Sequence, residues 1–335
     1  MTNRTLLADC DEDVHPVGPA INWNESRYVD FWDDAARVGG WFRIGNRPNE
    51  RYAEMSACIN LPDGRTGFMF SRPEITQNEL QADGQSWEIL EPWRRTRVIY
   101  RGEMMILDDA WQLVNPKKAF AEAPRVPASV EIECKSEGLA SVMGFDQRHI
   151  DLIFLPGQAD FHYQNLIRST GRVTIGKQSW TIDGRGGKDH SWGPRNWHAK
   201  IYLRWLIASF DDDHGFMLVR AVGPTKKTRS GFVWDAGRFH LVDDFVMENQ
   251  YAGGPHFELK RAAVTIKSGD REWRAQGTPQ AWLPLRHRQK DANGHPALLR
   301  IVKSPTKWLA EGRVGLGMCE YHDLMIEGRP VGIDD

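Results

Sequence analysis

The sequence predicts an all-β protein made of short antiparallel strands. Apolar and polar residues alternate over short stretches, and turn-forming residues separate these stretches at close intervals. Long runs with the 3.6-residue period of a helix are scarce. Many short strands joined by tight turns are typical of β-sandwiches and β-barrels.

Three stretches predict β-hairpins. Residues 53–70, 172–184 and 204–222 each contain two alternating segments, joined by the turn sequences PDG, GK and DDDHG respectively. Helical periodicity is confined to two short stretches, residues 26–36 and 304–310, for which we predict helices.

The length of 335 residues predicts two domains of about 150 residues each. The tripeptide GFM follows an acidic turn in each half of the chain, at residues 67–69 and at residues 215–217. This weak internal repeat favours two related β domains, residues 1–160 and residues 161–335, joined near residues 157–165.

The composition excludes several classes of partner. Hydrophobic residues make up 41% of the chain and charged residues 26%, as in a globular protein. A net charge of −2 gives no basic field for nucleic acid. No run approaches the roughly 20 apolar residues of a membrane span, and the N-terminus does not resemble a signal peptide. The four cysteines lack CxxC spacing. We therefore expect a cytoplasmic protein, with a homodimer as one candidate oligomeric state.

The stretch GRGGKDHSWGPRNW, residues 184–197, has the densest set of reactive and turn-forming residues. Its glycines do not match GxGxxG, and Pro194 prevents a following helix, so a phosphate cradle is excluded. Metal-ligating side chains in or near this stretch are Asp189, His190, His198 and His214. Because no HxH, HExxH or Cys/His spacing organises them, we predict neither a metal nor a cofactor.

Alternation along a strand predicts that His190 and Trp192 point to one face and Asp189 to the other. A histidine beside an indole ring inside a barrel can exchange a proton with a substrate, while the ring faces a cation. Alternatively, Asp189 caps a turn and the other two residues belong to the core. Spacing alone favours this second interpretation.

The same stretch, with HYQ at residues 162–164 and GLGMCEYHD at residues 315–323, resembles the AttH/CrtC-like superfamily. That superfamily includes carotenoid 1,2-hydratase (hydroxyneurosporene synthase), and tocopherol cyclase and the lipocalin-like fungal Diels–Alderases are similar to it. The chain resembles in particular a bacterial branch with a DHSWG motif, and residues 36–70 resemble the N-terminal domain of that branch.

This resemblance implies two lipocalin-like antiparallel β domains, barrels or sandwiches, packed together around an apolar cavity, with the DHSWG motif in the C-terminal domain. Carotenoid hydratases are similar in using an H-x-W pair, carried here by His190 and Trp192. They also use a downstream aromatic-x-Asp, for which the nearest match is residues 210–212, with Phe210 in place of a tyrosine.

Such a cavity suits a cofactor-independent lyase or isomerase, namely a hydratase, dehydratase, isomerase or cyclase. It would protonate an alkene or an allylic alcohol of a terpenoid or other hydrophobic substrate, using a carboxyl group whose pKa is raised by burial. Candidate catalytic residues are Asp189, His190, Asp212, Glu320 and Tyr321. Candidate substrate-binding residues are His162, Trp192, Trp197, Trp205 and Phe210. The alternative function is a non-catalytic carrier of a lipid, steroid or isoprenoid, whose cavity needs few ionisable side chains.

Overall fold

The computed structural model describes residues 7–144, 149, 151–152, 155–197, 200–290 and 295–334. Strands dominate these residues and form two large antiparallel sheets, which confirms the predicted all-β class. The longest helix in the described ranges is α1 (Pro116–Glu122). Short 3-10 helices are Asp9–Glu12, Pro48–Glu50, Ala110–Val114 and Leu139–Ser141. None of the described helices is long and apolar enough to cross a membrane.

The first sheet closes into a ring. Its strands, within the described residues, are β1 (Trp23–Asp33), β2 (Val38–Arg47), β3 (Tyr52–Asn60), β4 (Thr66–Ser71), β5 (Gln81–Ala82), β6 (Gln85–Glu91), β7 (Arg95–Leu107), β8 (Arg125–Lys135), β9 (Phe161–Ile175) and β10 (Gln178–Pro194). Their order is β4-β3-β2-β1-β10-β9-β8-β7-β6-β5, and a further pairing of β4 with β7 closes 8 strands into a ring. Alternate side chains such as Val29, Phe42, Val130 and Val173 form one buried apolar cluster that fills the ring.

The second sheet follows the first along the chain. Its described strands are β11 (Tyr202–Ser209), β12 (His214–Val222), β13 (Lys227–Asp235), β14 (Arg238–Leu241), β15 (Asp244–Tyr251), β16 (Leu259–Ser268), β17 (Arg271–Pro279), β18 (Leu283–Lys290), β19 (Pro296–Ala310), β20 (Arg313–Ile326) and β21 (Arg329–Pro330). The main order is β14-β13-β12-β11-β20-β19-β17-β16-β15, with β18 paired to β19 and β21 paired to β20.

The three predicted hairpins are confirmed as β3–β4, β9–β10 and β11–β12. The two predicted helices are wrong, because residues 26–33 lie in β1 and residues 304–310 lie in β19. Every residue of β1 is buried. A strand buried on both faces loses the polar–apolar alternation by which a strand is recognised.

The change of sheet comes later than the predicted boundary between residues 160 and 161. Strands β9 and β10 follow that boundary, yet β10 pairs with β1 and β9 pairs with β8, so both belong to the first sheet. The chain enters the second sheet at β11, after Pro194. The DHSWG motif therefore lies in the first sheet, and the predicted division of the chain does not follow the sheets.

The two sheets pack face to face through β1 and β10 of the first and β11 and β20 of the second. Side chains from both sheets join one apolar cluster, which includes Tyr28, Trp41, Ile207, Met217 and Met318. This interface encloses a cavity that is lined by residues of both sheets.

Candidate functional site

A cavity of about 370 Å³ lies between the two sheets. Much of its wall is apolar and aromatic, formed by Tyr28, Trp41, Phe68, Phe120, Trp197, Leu203 and Trp205. Ionisable side chains reach the same cavity from both sheets, among them Arg43, Glu54, His162, Asp189, Lys303, Glu320 and His322. The cavity is of a size that can hold a small organic molecule.

Strand β10 brings Asp189, and not His190, to the cavity. Asp189 and Ser191 line the cavity, whereas His190 and Trp192 lie on the opposite face of the strand, with their ring centroids 5.0 Å apart. The predicted alternation is therefore confirmed. The face that carries His190 and Trp192 points into the first ring, because β1 and β10 turn their other face towards the second sheet.

Asp189 contacts a hydrogen-bonded series of three side chains, His162, Gln164 and Trp205, that crosses between the sheets. The Nε2 atom of His162 lies 3.2 Å from Oδ2 of Asp189 and 3.3 Å from Nε2 of Gln164. The indole Nε1 of Trp205 donates to Oε1 of Gln164 over 3.1 Å. Three of these residues, His162, Asp189 and Trp205, are among the predicted site residues, and the structure brings them together.

Glu320 is the centre of a second buried group, on the side of the second sheet. It forms an ion pair with Lys303 and accepts a hydrogen bond from Nε2 of His322 over 2.5 Å. Burial raises the pKa of Glu320, but the Lys303 ammonium and the His322 N–H outweigh burial and hold it well below its usual range. Burial and the charge of Lys200 lower the pKa of His322 to about 3. Glu320 is therefore ionised and His322 neutral at neutral pH.

A carboxyl group with a raised pKa lies just behind the cavity wall. Burial raises the pKa of Asp30 to about 8, although Lys303 opposes this shift. Asp30 accepts a hydrogen bond from the backbone N–H of Gly187 over 3.3 Å. Its neighbour on the same face of β1, Tyr28, lines the cavity.

His190 lies in a separate charged cluster within the first ring. Its Nε2 atom is 2.6 Å from Oε1 of Glu25 and 3.1 Å from Nη1 of Arg27. His15 contributes its Nδ1 atom, 3.0 Å from the same Glu25 oxygen, and stacks on Trp192 with a centroid distance of 3.8 Å. Burial, followed by the charge of Arg27, lowers the pKa of His190 to about 4.

The donor atoms of His15, Glu25 and His190 lie within 4.8 Å of one another, so this cluster has the spacing of a metal site. However, the Arg27 guanidinium already lies beside the same nitrogen and the same carboxylate. A resident cation at this position opposes a second one by charge repulsion. The geometry is that of a buried charge network.

The other predicted site residues lie outside the cavity. Asp212 is exposed and pairs with Arg185 over 2.8 Å. Tyr321 follows Glu320 on β20, so its side chain lies on the opposite face of that strand, away from the cavity. There its hydroxyl donates to Oδ1 of Asn249. Phe210 packs on Phe216. His198, considered above as a metal ligand, lies outside the described residues.

Sequence reasoning missed Lys200, Lys303 and His322, all of which line the cavity. The signal for His322 was available, because it follows Glu320 by two residues and therefore shares its face of a strand. Single lysines separated by about a hundred residues carry no comparable signal.

Comparison with solved structures places this architecture in a known class. CghA, in its crystal structure with Sch210972, has a TM-score of 0.56 at 12% identity over 96% of this chain and 97% of CghA. An AttH-type protein (NE1406) from Nitrosomonas europaea gives 0.55 at 12% identity over 92% and 99%. Kievitone hydratase from Nectria haematococca gives 0.51 at 9% identity over 99% and 98%. The chain shares the fold of these three proteins, one of which is of the AttH type that the resemblance predicted.

Within this class, the chain has a definite family. Residues 8–325 match the family described as "Domain of unknown function (DUF7064)", and the chain belongs to that family. Comparison with curated proteins gives no match.

Proposed function

We propose that this protein is a cofactor-independent acid–base enzyme whose active site is the cavity between the sheets. The reaction would be a hydration, dehydration, isomerisation or cyclisation of a hydrophobic substrate, with terpenoids as one candidate class. The observation that carries the proposal is the convergence of Asp189, His162 and the Glu320 group on one apolar cavity. A carrier needs apolar walls and few polar anchors, whereas an enzyme needs ionisable groups directed at one point.

The pair of Asp189 and His162 is the proposed proton donor and acceptor. The Trp205 N–H occupies the oxygen of Gln164, so the amide nitrogen of Gln164 faces Nε2 of His162. The Asp189 carboxyl approaches that same nitrogen. Asp189 and His162 therefore meet in the cavity wall, where a carboxyl group and an imidazole can exchange a proton with a bound substrate.

Glu320 has a different role in this proposal. Its lowered pKa keeps it ionised, so we assign this predicted catalytic residue a role other than proton donor. Its carboxylate instead fixes the positions of Lys303 and His322, one on each oxygen. A fixed arrangement of charges can stabilise charge that develops in a transition state.

The structural neighbours support an enzyme. One of them is named a hydratase, and CghA was crystallised with Sch210972. The alternative, a non-catalytic carrier of a lipid, steroid or isoprenoid, is supported by the aromatic and aliphatic part of the cavity wall.

The test is turnover of a panel of prenyl alcohols, conjugated terpenoid ketones and their hydrates by wild-type protein and by Asp189→Asn. Since general acid–base groups contribute about 100-fold or more, we expect at least that loss of rate in Asp189→Asn and in His162→Gln. Asp212→Asn is the matched control, because Asp212 is exposed outside the cavity. Wild-type rates in both cavity variants would refute the assignment of the proton donor. Binding without turnover across the panel would favour the carrier.

A further inference from the structure

One end of the cavity is surrounded by hydrogen-bond donors that have no partner. Among the described residues, buried donor atoms without a hydrogen bond include Nη2 of Arg43, Nε of Arg195 and Nε1 of Trp197. Lys200 also lines the cavity, is only 3% exposed, and has neither a hydrogen bond nor an ion pair within the described part of the chain. Buried donors are normally satisfied, so a cluster of unsatisfied ones needs an explanation.

These groups are held around a single aromatic ring. The guanidinium carbons of Arg43 and Arg195 lie 5.2 Å and 5.6 Å from the centroid of the Trp197 ring, and Nζ of Lys200 lies 5.4 Å from it. His287 stacks on the same ring with a centroid distance of 4.4 Å. Three cationic side chains and one imidazole therefore share one small volume.

The carboxylates near this volume are already engaged. Glu54 binds both Arg43 and Arg72, and Glu320 is shared by Lys303 and His322. Asp189, whose charge also acts on Arg195, contacts His162. The charged and titratable groups that act on Lys200 from the surrounding elements are Arg43, Arg195, His287, Lys303, Glu320 and His322. With Glu54, Arg72 and Asp189 included, this set of lining residues has three carboxylates against five lysine and arginine side chains, namely Arg43, Arg72, Arg195, Lys200 and Lys303, which leaves an excess of positive charge at this end of the cavity.

Electrostatics support the same conclusion. Burial, followed by the charge of Arg195, lowers the pKa of Lys200 to about 7, and burial with the charge of Arg43 lowers the pKa of Arg195 to about 10. Both side chains would hold their protons more firmly beside an anion.

Lys303 lies 4.1 Å from the centroid of the Tyr28 ring and 4.9 Å from that of the Trp41 ring, so these two aromatic faces already carry a cation.

We infer that the end of the cavity around Lys200, Arg195 and Trp197 binds the oxyanion of an amphipathic ligand, such as a carboxylate or an enolate. The apolar part of the ligand then extends along Leu203, Trp205 and Phe120, which line the same cavity. A charge-assisted hydrogen bond to Lys200 would fix the ligand's orientation. The role of this ligand as a substrate rests on the proposed function. Its binding at this end of the cavity does not depend on that function.

The experiment compares a matched pair of ligands, farnesoate and farnesol, which differ in the charge of one end. Binding is measured by isothermal titration calorimetry at pH 7 with wild-type protein, with Lys200→Met and with Lys177→Met. Lys177 is an exposed turn residue and serves as the control. Hydrogen bonds to charged groups are stronger than those between neutral groups, so we expect farnesoate to bind wild type and Lys177→Met at least about tenfold more tightly than farnesol. Lys200→Met should lose this preference and keep its affinity for farnesol.

A second measurement needs no variant. At pH 8, which lies above the lowered pKa of Lys200, we expect an oxyanion that binds beside it to draw a proton from the buffer. The binding enthalpy of farnesoate should then depend on the ionisation enthalpy of the buffer, and that of farnesol should not. Equal affinities for the two ligands, or a preference that survives in Lys200→Met, would overturn the inference. Anion-selective binding without any turnover would retain it and count against the proposed enzyme alone.

Discussion

Glu320 is the shared partner of two buried side chains in the second sheet, Lys303 and His322. Its carboxylate is the ion-pair partner of Lys303 and the acceptor for His322, and both partners are buried. Removing one member of a buried ion pair leaves the other charge uncompensated, which costs more than removing both.

We expect Glu320→Gln to lower the free energy of unfolding by about 3 kcal/mol, because Lys303 is left buried without a counter-charge. The measurement is urea denaturation at pH 7. The double variant Lys303→Met/Glu320→Gln should recover most of the loss. A single variant as stable as wild type would show that Lys303 is solvated or finds another partner.

At the residue scale, the sequence predicted which side chains share a face but not where that face points. Asp189 and His190 alternate as expected, yet only the packing of β10 against the second sheet shows that Asp189 faces the cavity. That packing joins residues distant in the chain, such as Gln164 and Trp205. The positive end of the cavity was not predictable for the same reason, since Arg43 lies on β2 and far from Lys200 in sequence.

At the scale of elements, the GRGG sequence serves the packing of strand β10. A Cβ atom at Gly186 would lie 2.2 Å from the backbone oxygen of Asp30 on β1. A Cβ atom at Gly187 would instead meet the ends of two side chains in the second sheet, Cε of Met217 at 2.5 Å and Cδ1 of Ile207 at 2.9 Å. The glycines therefore permit the close approach of one strand and one sheet.

We expect Gly186→Ala to be the more harmful of two conservative changes. A backbone oxygen cannot move aside, so Gly186→Ala should destabilise by about 3 kcal/mol, whereas Gly187→Ala should cost about 1 kcal/mol because flexible side-chain ends can shift. Thermal unfolding of both variants checks the order. Gly253→Ala is the control, since no heavy atom lies within 4 Å of its added Cβ. Equal losses in the two variants would contradict this explanation of the motif.

The sequence predicted the strands that flank clear turn sequences, and it failed to predict a strand that is buried on both faces. The hairpins carry glycine or acidic turns between alternating segments, and all three are present. Strand β1 failed because Tyr28 faces the cavity while its neighbour Val29 faces the ring core, so both are buried. A strand that lies between two packed layers has apolar residues on both faces, so the alternation of polar and apolar residues does not reveal it.

At the scale of the whole molecule, buried imidazoles dominate the expected dependence of stability on pH. Burial lowers the pKa values of His190 and His287 to about 4 and that of His322 to about 3, from an ordinary value of 6.5. Between pH 4 and 6.5 the unfolded chain therefore binds protons that the folded chain does not. Asp30, with its pKa raised to about 8, binds a proton only in the folded state and opposes this trend.

The free energy of unfolding should thus rise with pH from about 4 to 6.5, with a slope on the order of 2 kcal/mol per pH unit. Denaturant titrations at several pH values measure it. His190→Gln should flatten the slope because one depressed imidazole is removed, and Asp30→Asn should steepen it because the opposing group is removed. A stability that does not change over this interval would show that these imidazoles are protonated in the folded state.

The position of β10 between β1 and β9 also has a consequence for biosynthesis. Arg27 on β1 meets His190 on β10 across 163 positions of sequence. Until residues 161–194 have left the ribosome, β1 and β8 each expose an unpaired edge, and unpaired edges invite aggregation. The first ring therefore cannot close until β9 and β10 have been synthesised. Strand pairings between residues so distant in the sequence also slow folding.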